Sequence, residues 1–240
     1  MMKKSIEQGI IVSIGNQKGG VGKSVITSLV ANYIHKQWGH KFKIIVVDCD
    51  DLQGSLYNLR IRELKEKNET ESNHYRLLQI DSHDLPSNLD FLSDEYDIIF
   101  LDLPGNLKQP GVIKCYYGVD VLITPTQTNS IDLQSTFDFV KIYGDIIIPQ
   151  REKHNLKTSI YGLFSRVDSQ NKDYKYINSK EGREQLPIEF LQNFVADSKV
   201  VFQRNVSTLE VYENNKYANY QDLCEEILSI ILSTRDKYGK

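Results

Sequence analysis

Short apolar, β-branched runs alternate with stretches whose apolar residues recur at helical spacing, and the alternation continues through most of the chain. Residues 9–14 (Gly-Ile-Ile-Val-Ser-Ile) read as a buried strand, and residues 25–38 carry apolar positions spaced for a helix. Further strands are predicted at residues 43–48, 75–80, 97–103, 119–124 and 158–165. Several of these are apolar on both faces, as a parallel sheet covered by helices requires. Helices are predicted at residues 52–67, 109–117, 130–148, 185–195 and 219–235. The order predicts an α/β fold with a doubly wound, mostly parallel sheet flanked by helices. Residues 63–74, with Glu63, Lys65, Glu66, Lys67, Glu69 and Glu71, read as a solvated helix end and loop without chemistry. Residues 168–184 are polar and aromatic by turns, and read as a surface loop or a partner-binding face.

Length and composition narrow this picture. The chain has 240 residues, 40% hydrophobic and 25% charged, and no Pro/Gly/Ser-rich linker divides it, so one domain over residues 1–240 is expected. The formal net charge of −3 gives no global attraction to nucleic acid, and any such binding must use a local patch. Cys49, Cys115 and Cys224 are far apart and form no C-x-x-C pair, which suits reduced thiols in a cytoplasmic protein rather than a disulfide framework or a zinc site. Lys3 and Lys4 are followed by Glu7 and Gln8 without an apolar core or cleavage site, so no signal peptide is read. No apolar run approaches the ~18 residues of a transmembrane segment.

Between the first strand and the first helix lies Lys18-Gly19-Gly20-Val21-Gly22-Lys23-Ser24, a deviant form of the G-x-x-x-x-G-K-[ST] phosphate loop. Glycines let backbone N–H groups turn inward around phosphate oxygens, while the following helix presents unsatisfied donors and its positive dipole end. Lys23 is the lysine placed to reach the β- and γ-phosphates, and the Ser24 hydroxyl is placed to ligate Mg²⁺. Lys18 is a second lysine at the start of the loop.

Ligands of α/β sheets gather at the carboxyl ends of strands, so acids that end predicted strands near the loop carry weight. Asp102 closes Asp97-Ile98-Ile99-Phe100-Leu101-Asp102, an apolar strand followed by Asp that has the form of a Walker B element and would hold Mg²⁺ with Ser24. Asp48 ends residues 43–48, and Asp50 stands two residues on, where a carboxylate can orient an attacking water. Asp51 reads instead as a turn or capping residue.

Lys18-Gly19-Gly20-Val21-Gly22-Lys23-Ser24, Asp48-x-Asp50-x-x-Gln53 and Asp102-x-Pro104 together resemble the deviant-Walker ATPases typified by ParA, Soj and MinD. The likeness extends over most of the chain. Residues 119–127 are similar to that family's strand ending in Pro-x-Gln, and Arg204-Asn205-Val206 to Glu213 resembles its segment before the C-terminal helix. The resemblance implies an ATP-sandwich homodimer in which Lys18 of one subunit reaches the nucleotide held by the other. By the same resemblance Gly19, Gly20, Val21, Gly22, Lys23, Ser24 and Val25 form the nucleotide loop, Asp50 positions water, Asp48 supports the Mg²⁺ site and Asp102 is the Walker B acid. Ser165 and Arg166 match the region that contacts the base. Asp51 stands where the family commonly has Pro, and Val25 where a second Thr is frequent.

Among family functions, an ATPase of plasmid, mobile-element or chromosome partition is implied, with a ParB-like activator and ATP-dependent, nonspecific DNA binding. Lys199, Arg204 and Lys216 are the candidate phosphate contacts by position, although basic and acidic residues balance over residues 166–216. A MinD-like, membrane-associated positioning ATPase is the rival; Glu225 and Glu226 oppose an anionic surface, and Leu223, Ile227, Ile230 and Ile231 suit core packing. A tyrosine autokinase would use the loose group Tyr212, Tyr217, Tyr220 and Tyr238, and an iron–sulfur relative would need a partner for Cys115. The alternative outside catalysis is a nucleotide-gated adaptor with negligible hydrolysis.

Overall fold

The computed structural model describes residues 8–49, 55–197, 206–211 and 220–237. Apolar strands buried on both faces build its centre. β1 (Ile10–Ile14), β2 (Ile44–Asp48) and β4 (Ile98–Asp102) are buried at every position, as is β5 (Val121–Thr126). With β3 (Arg76–Gln79), β6 (Ser159–Val167) and the two-residue β7 (Val195–Ala196) they form a parallel sheet in the order β3-β2-β4-β1-β5-β6-β7. The order reverses on either side of β1, so the carboxyl end of β1 opens the crevice where doubly wound sheets bind ligands.

Helices cover both faces. On one side α1 (Lys23–Trp38), α2 (Ser55–Lys67) and α9 (Tyr220–Lys237) pack on a core that includes Ile10, Val12, Ile26, Val46, Phe100, Ile227 and Ile231. On the other, α3 (Leu89–Glu95), α4 (Val112–Tyr116) and α5 (Ser130–Ile142) enclose Ile11, Ile45, Leu101, Tyr116, Leu122 and Phe139. The apolar face of α9 is spent on the core, as the sequence suggests: Leu223, Cys224, Ile227, Leu228 and Ile231 are buried. All three cysteines are buried free thiols, and burial pushes the Cys224 thiol far above its ordinary range. No described helix is long and apolar enough to cross a membrane.

Several expected elements differ. The helix expected at 130–148 ends at Ile142, continues as a π-helical turn (Tyr143–Ile147), and resumes as α6 (Ile148–Glu152) with Pro149 in its first turn, where a missing N–H costs nothing. The helix expected at 185–195 is absent. There Gly162 N–H donates to Glu189 O (2.8 Å) and Leu191 N–H to Gly162 O (2.9 Å), so the chain pairs with β6 instead. Pro187 already disfavours helix at Leu186, and Gly162 has no Cβ to collide with the Phe190 ring. The expected loop 168–184 contains α7 (Lys172–Ile177) and α8 (Lys180–Glu184), whose first turns are capped by the side chains of Asn171 and Ser179. Tyr174 of α7 packs edge-on against Phe164.

The solvated reading of residues 63–74 also changes. Glu63 is buried and accepts from Thr208 N–H (2.8 Å) and Oγ1 (2.6 Å), while Glu71 accepts from the fully buried Arg60 (2.9 Å). These charges face protein, because Thr208 arrives over Glu63 from residues 206–211 and Arg60 of α2 turns to Glu71.

At the end of the sheet away from the crevice, a buried ion pair ties three elements together. Asp120 takes Arg151 Nη2 on Oδ1 (2.9 Å) and the Ile11 amide on Oδ2 (3.0 Å). Arg151 also donates to Tyr117 O (2.6 Å) and Lys157 O (2.8 Å), while its Nε has no hydrogen-bond partner among the described residues. Asp120→Ala leaves a guanidinium buried without its counter-charge and is expected to cost about 3–5 kcal/mol in urea unfolding. Replacing both residues by apolar ones of similar size is expected to cost less; a single substitution within about 1 kcal/mol of wild type would refute the role given to this pair.

Candidate functional site

The loop after β1 owes its shape to two left-handed glycines and to polar groups behind it. Gly20 (φ 76°) and Gly22 (φ 94°) hold a backbone that L side chains resist, and Gly22 is also the N-cap of α1. A Cβ added at Gly19 or Gly20 would meet nothing within 4 Å, so the crest of the loop faces an open cleft. Behind the crest, the buried Asn16 donates to Pro125 O and to Thr136 Oγ1 (2.8 Å each) and accepts from Lys18 N–H (3.1 Å). Gln17 donates to Ser135 O (3.0 Å). Gly105 lies so close that a Cβ there would stand 2.9 Å from Gln17 O.

The cleft measures ≈ 1170 Å³ and is lined by Gly19, Gly20, Gly22, Lys23, Ser24, Val25, Asp102, Lys108 and Arg166 among others. This size accommodates a nucleoside triphosphate. The α1 N-terminus has no side-chain cap, so its first-turn amides point toward that space with the positive end of the helix dipole. Lys23 Nζ donates to Lys18 O (3.2 Å), which lays its stem along the inside of the loop. Those glycines, amides and lysine suit a polyphosphate. Ser24 and Asp102 supply a hydroxyl and a carboxylate to the same cleft. Among the described residues no three His, Cys, Asp or Glu side chains gather as a metal cage. Mg²⁺ fits such a sparse site, since it binds one or two carboxylates plus phosphate oxygens and keeps several waters.

Each expected residue takes a definite place. Asp48 sits beside Asp102 in the β2–β4 register and is fully buried; its Oδ2 accepts the amides of Leu56 and Tyr57 (3.0 Å each) at the start of α2. One oxygen therefore acts as a helix cap. Val21 is buried under the loop, and its carbonyl accepts from Ser165 Oγ (2.9 Å), so the Ser165 hydroxyl braces the loop from β6. Arg166 adopts φ 56°, left-handed for a non-glycine, at the register shift between β6 and β7. From there it reaches Gly20 O (3.3 Å) and Asp197 (3.4 Å). Asp50, Asp51 and Gln53 lie outside the described residues, as do Lys199, Arg204, Lys216, Tyr212, Tyr217 and Tyr238.

Lys18 does not line the cleft. Its ammonium pairs with Asp132 on the first turn of α5, a side chain at 5% exposure whose backbone N–H donates to Asn129 Oδ1 (2.9 Å). Sequence reasoning missed Asp132 and Asn16. The Asn129-x-x-Asp132 spacing at a predicted helix start was the available signal for the first, and nothing local marked the second. Below the cleft, desolvation raises the Tyr143 phenol to about 12 and the Tyr116 phenol further, so neither contributes charge near neutral pH.

The model of the CobQ/CobB/MinD/ParA nucleotide binding domain matches residues 12–211. Solved structures of the same fold include a plasmid partition protein of Borrelia burgdorferi B31 bound to AMPPNP, at 20% identity, TM-score 0.64, over 94% of this chain and 99% of that one. The cell division ATPase MinD of Pyrococcus furiosus matches at 16% identity and TM-score 0.61, over 92% and 99%. Cobyrinic acid a,c-diamide synthase of Mycobacterium smegmatis with ADP and magnesium matches at 15% identity and TM-score 0.64, over 94% and 96%. At these identities the likeness establishes the fold. No curated protein sequence matches. A family match over most of the chain, on a sheet whose central strand ends in a glycine-shaped cradle, places this protein in the CobQ/CobB/MinD/ParA nucleotide-binding family.

Proposed function

We propose that residues 1–240 form one P-loop ATPase domain that hydrolyses ATP with Mg²⁺, dimerises on ATP and serves in partition, with a ParB-like activator and nonspecific DNA as partners. The observation that carries this reading is the division of labour between two lysines. Lys23 lies in the cleft, whereas Lys18 is held outside it by Asp132 of its own chain. A lysine that is part of the loop yet directed away from the loop's own cleft supports the reading that it serves a second copy.

In this reading Lys23 and the α1 amides bind the β- and γ-phosphates, Ser24 and Asp102 hold the metal, and Asp50 orients the attacking water. Mg²⁺, when bound, neutralises charge on the phosphates. Arg166 borders the nucleoside side of the cleft, and Asp48 fixes the start of α2 close to Asp102. Such positioning and charge stabilisation suffice for slow phosphoryl transfer. Partition is favoured over membrane positioning because the apolar residues of α9 are consumed by the core. ATP-dependent, salt-sensitive retardation of arbitrary duplex DNA supports partition; ATP-dependent liposome binding without retardation reverses that ranking.

Steady-state ATPase with Mg²⁺, DNA and activator tests the chemistry. Asp50→Ala and Lys18→Ala are each expected to lower turnover about 10²-fold, the usual scale for one lost charge-stabilising or positioning group. EDTA is expected to abolish turnover in wild type. A mixture of the two variants should regain activity, because one site in the mixed dimer has both residues. Mixed dimers without activity would sink the trans role of Lys18, and a wild type inert under every condition leaves the nucleotide-gated adaptor.

Asp132→Asn is expected to release Lys18 and lower the ATP concentration needed for dimerisation about fivefold, corresponding to ~1 kcal/mol for a part-exposed ion pair. Analytical ultracentrifugation across an ATP series reads this directly. An unchanged or higher midpoint contradicts it.

A further inference from the structure

Residues 206–211 form a short strap across the first two helices, held by polar side chains that the site described above does not use. From α1, Ser28 Oγ donates to Ser207 O (2.5 Å), and Asn32 Nδ2 donates to Ser207 O (2.7 Å) and Glu210 O (2.9 Å). From α2, Arg60 Nε donates to Thr208 Oγ1 (3.0 Å) and Arg60 Nη2 to Thr208 O (2.7 Å). Glu63 Oε2 accepts both the Thr208 amide and its hydroxyl. Arg60 is fully buried, and Nη1 donates to Glu71 (2.9 Å) and Tyr75 O (2.9 Å), with its guanidinium 4.5 Å from the Tyr75 ring centre. Thr208 is also fully buried, so its hydroxyl has water excluded and both its roles, acceptor and donor, filled by α2.

The two helices gripped by the strap begin at the chemistry. α1 starts with Lys23 and Ser24, and the strap holds it one and two turns later. α2 starts at Ser55, directly after residues 50–54, and its Leu56 and Tyr57 amides rest on Asp48. We propose that Arg60, Glu63 and Thr208 are positioning residues for hydrolysis, setting the start of α2, whose first amides rest on Asp48, against the phosphate loop carried by α1. The proposal rests on the hydrolysis reading given above. The strap meets α1 through Ser28 and Asn32 on its carbonyls and α2 through Arg60 and Glu63 on Thr208, and such directed bonds define one register between the two helices, whereas an apolar contact would tolerate sliding.

The predicted signature is a split between binding and turnover. Thr208→Val keeps the side-chain volume and removes the hydroxyl. It is expected to lower kcat about tenfold while a fluorescent ATP analogue binds within twofold of wild type, because the loop and α1 stay intact. Hydrogen exchange at the Leu56 and Tyr57 amides should accelerate about tenfold, with β1 amides unchanged, and Thr208→Ser should restore both readouts. Glu63→Gln, which keeps the acceptor oxygen and loses the charge, is the second variant if Thr208→Val does not fold, with the same split expected at smaller size. Unchanged kcat together with unchanged exchange at Leu56 and Tyr57 overturns the proposal. So does a parallel loss of affinity, turnover and global stability, which marks a strap that only holds the fold. If wild type does not hydrolyse ATP, the hydrolysis reading fails, and the exchange measurement alone decides whether the strap sets the start of α2.

Discussion

Everything at the carboxyl end of the sheet hangs on one buried amide. Asn16 leaves β1 with no access to water, and its side chain makes three directed bonds, to the end of β5 at Pro125, to α5 at Thr136 and to the loop at Lys18 N–H. A buried amide is costly unless its bonds are made, so the group selects the one backbone path that makes them. That path turns Lys18 toward α5, where Thr136 Oγ1 closes back on Asp132 O (2.8 Å) and the Asp132 carboxylate meets the Lys18 ammonium. The crest beyond is then left to glycines, which can face the cleft without obstruction. Asn16 thus fixes both the path of the glycine crest and where the second lysine rests.

The sheet makes this economical. Strands β1, β2, β4 and β5 are buried on both faces, so side chains within them have no water to turn to. Few polar side chains lie within them, as Ser13 does by donating to Leu101 O (3.1 Å), and the charged groups stand at strand ends. At the far end the Asp120–Arg151 pair joins β1, α6 and the entry to β5; at the near end Asp48, Asn16 and Ser165 meet amides, carbonyls and hydroxyls. Of the near-end carboxylates, Asp48 is held by the backbone N–H groups of Leu56 and Tyr57, and Asp102 lines the cleft. This asymmetry, with one end closed by its own ion pair and the other open to a ligand, is the physical content of the crevice rule for doubly wound sheets.

The α/β alternation, the six longer strands and the loop were legible because each depends on residues close in sequence: two-sided apolar runs, and glycines and lysines at fixed spacing. What escaped depends on distance. Lys18 and Asp132 are 114 residues apart, Glu63 and Thr208 are 145, and in each case the nearer sequence shows only an ordinary charge. The helix expected at 185–195 failed in part for the same reason, since beyond the local warning of Pro187 it is Gly162, distant in sequence, that captures that stretch by backbone pairing. Glu63 and Glu71 looked solvated because solvent is the usual answer for charged residues in a polar run. The fully buried Arg60 supplies another answer, visible only after α2, β3 and residues 206–211 have assembled.

The resting position of Lys18 also bears on how a nucleotide could gate a dimer. Its side chain is 33% exposed and Asp132 is 5% exposed, so the pair lies at the edge of the protein, where such contacts are worth about 1 kcal/mol. A charge-assisted bond to a phosphate in a closed interface is worth about 1.5–3 kcal/mol. In the dimer proposed above, the difference favours exchange once a second copy offers a phosphate; without one, Lys18 has no better partner than Asp132. Asp132 must then lose its counter-charge within a buried turn, a cost that sets a threshold on assembly. A pair that was fully buried would hold Lys18 permanently, and a pair that was fully exposed would set no threshold. Its placement at the rim of α5 lies between those limits, where a ligand's modest differential affinity can shift the population.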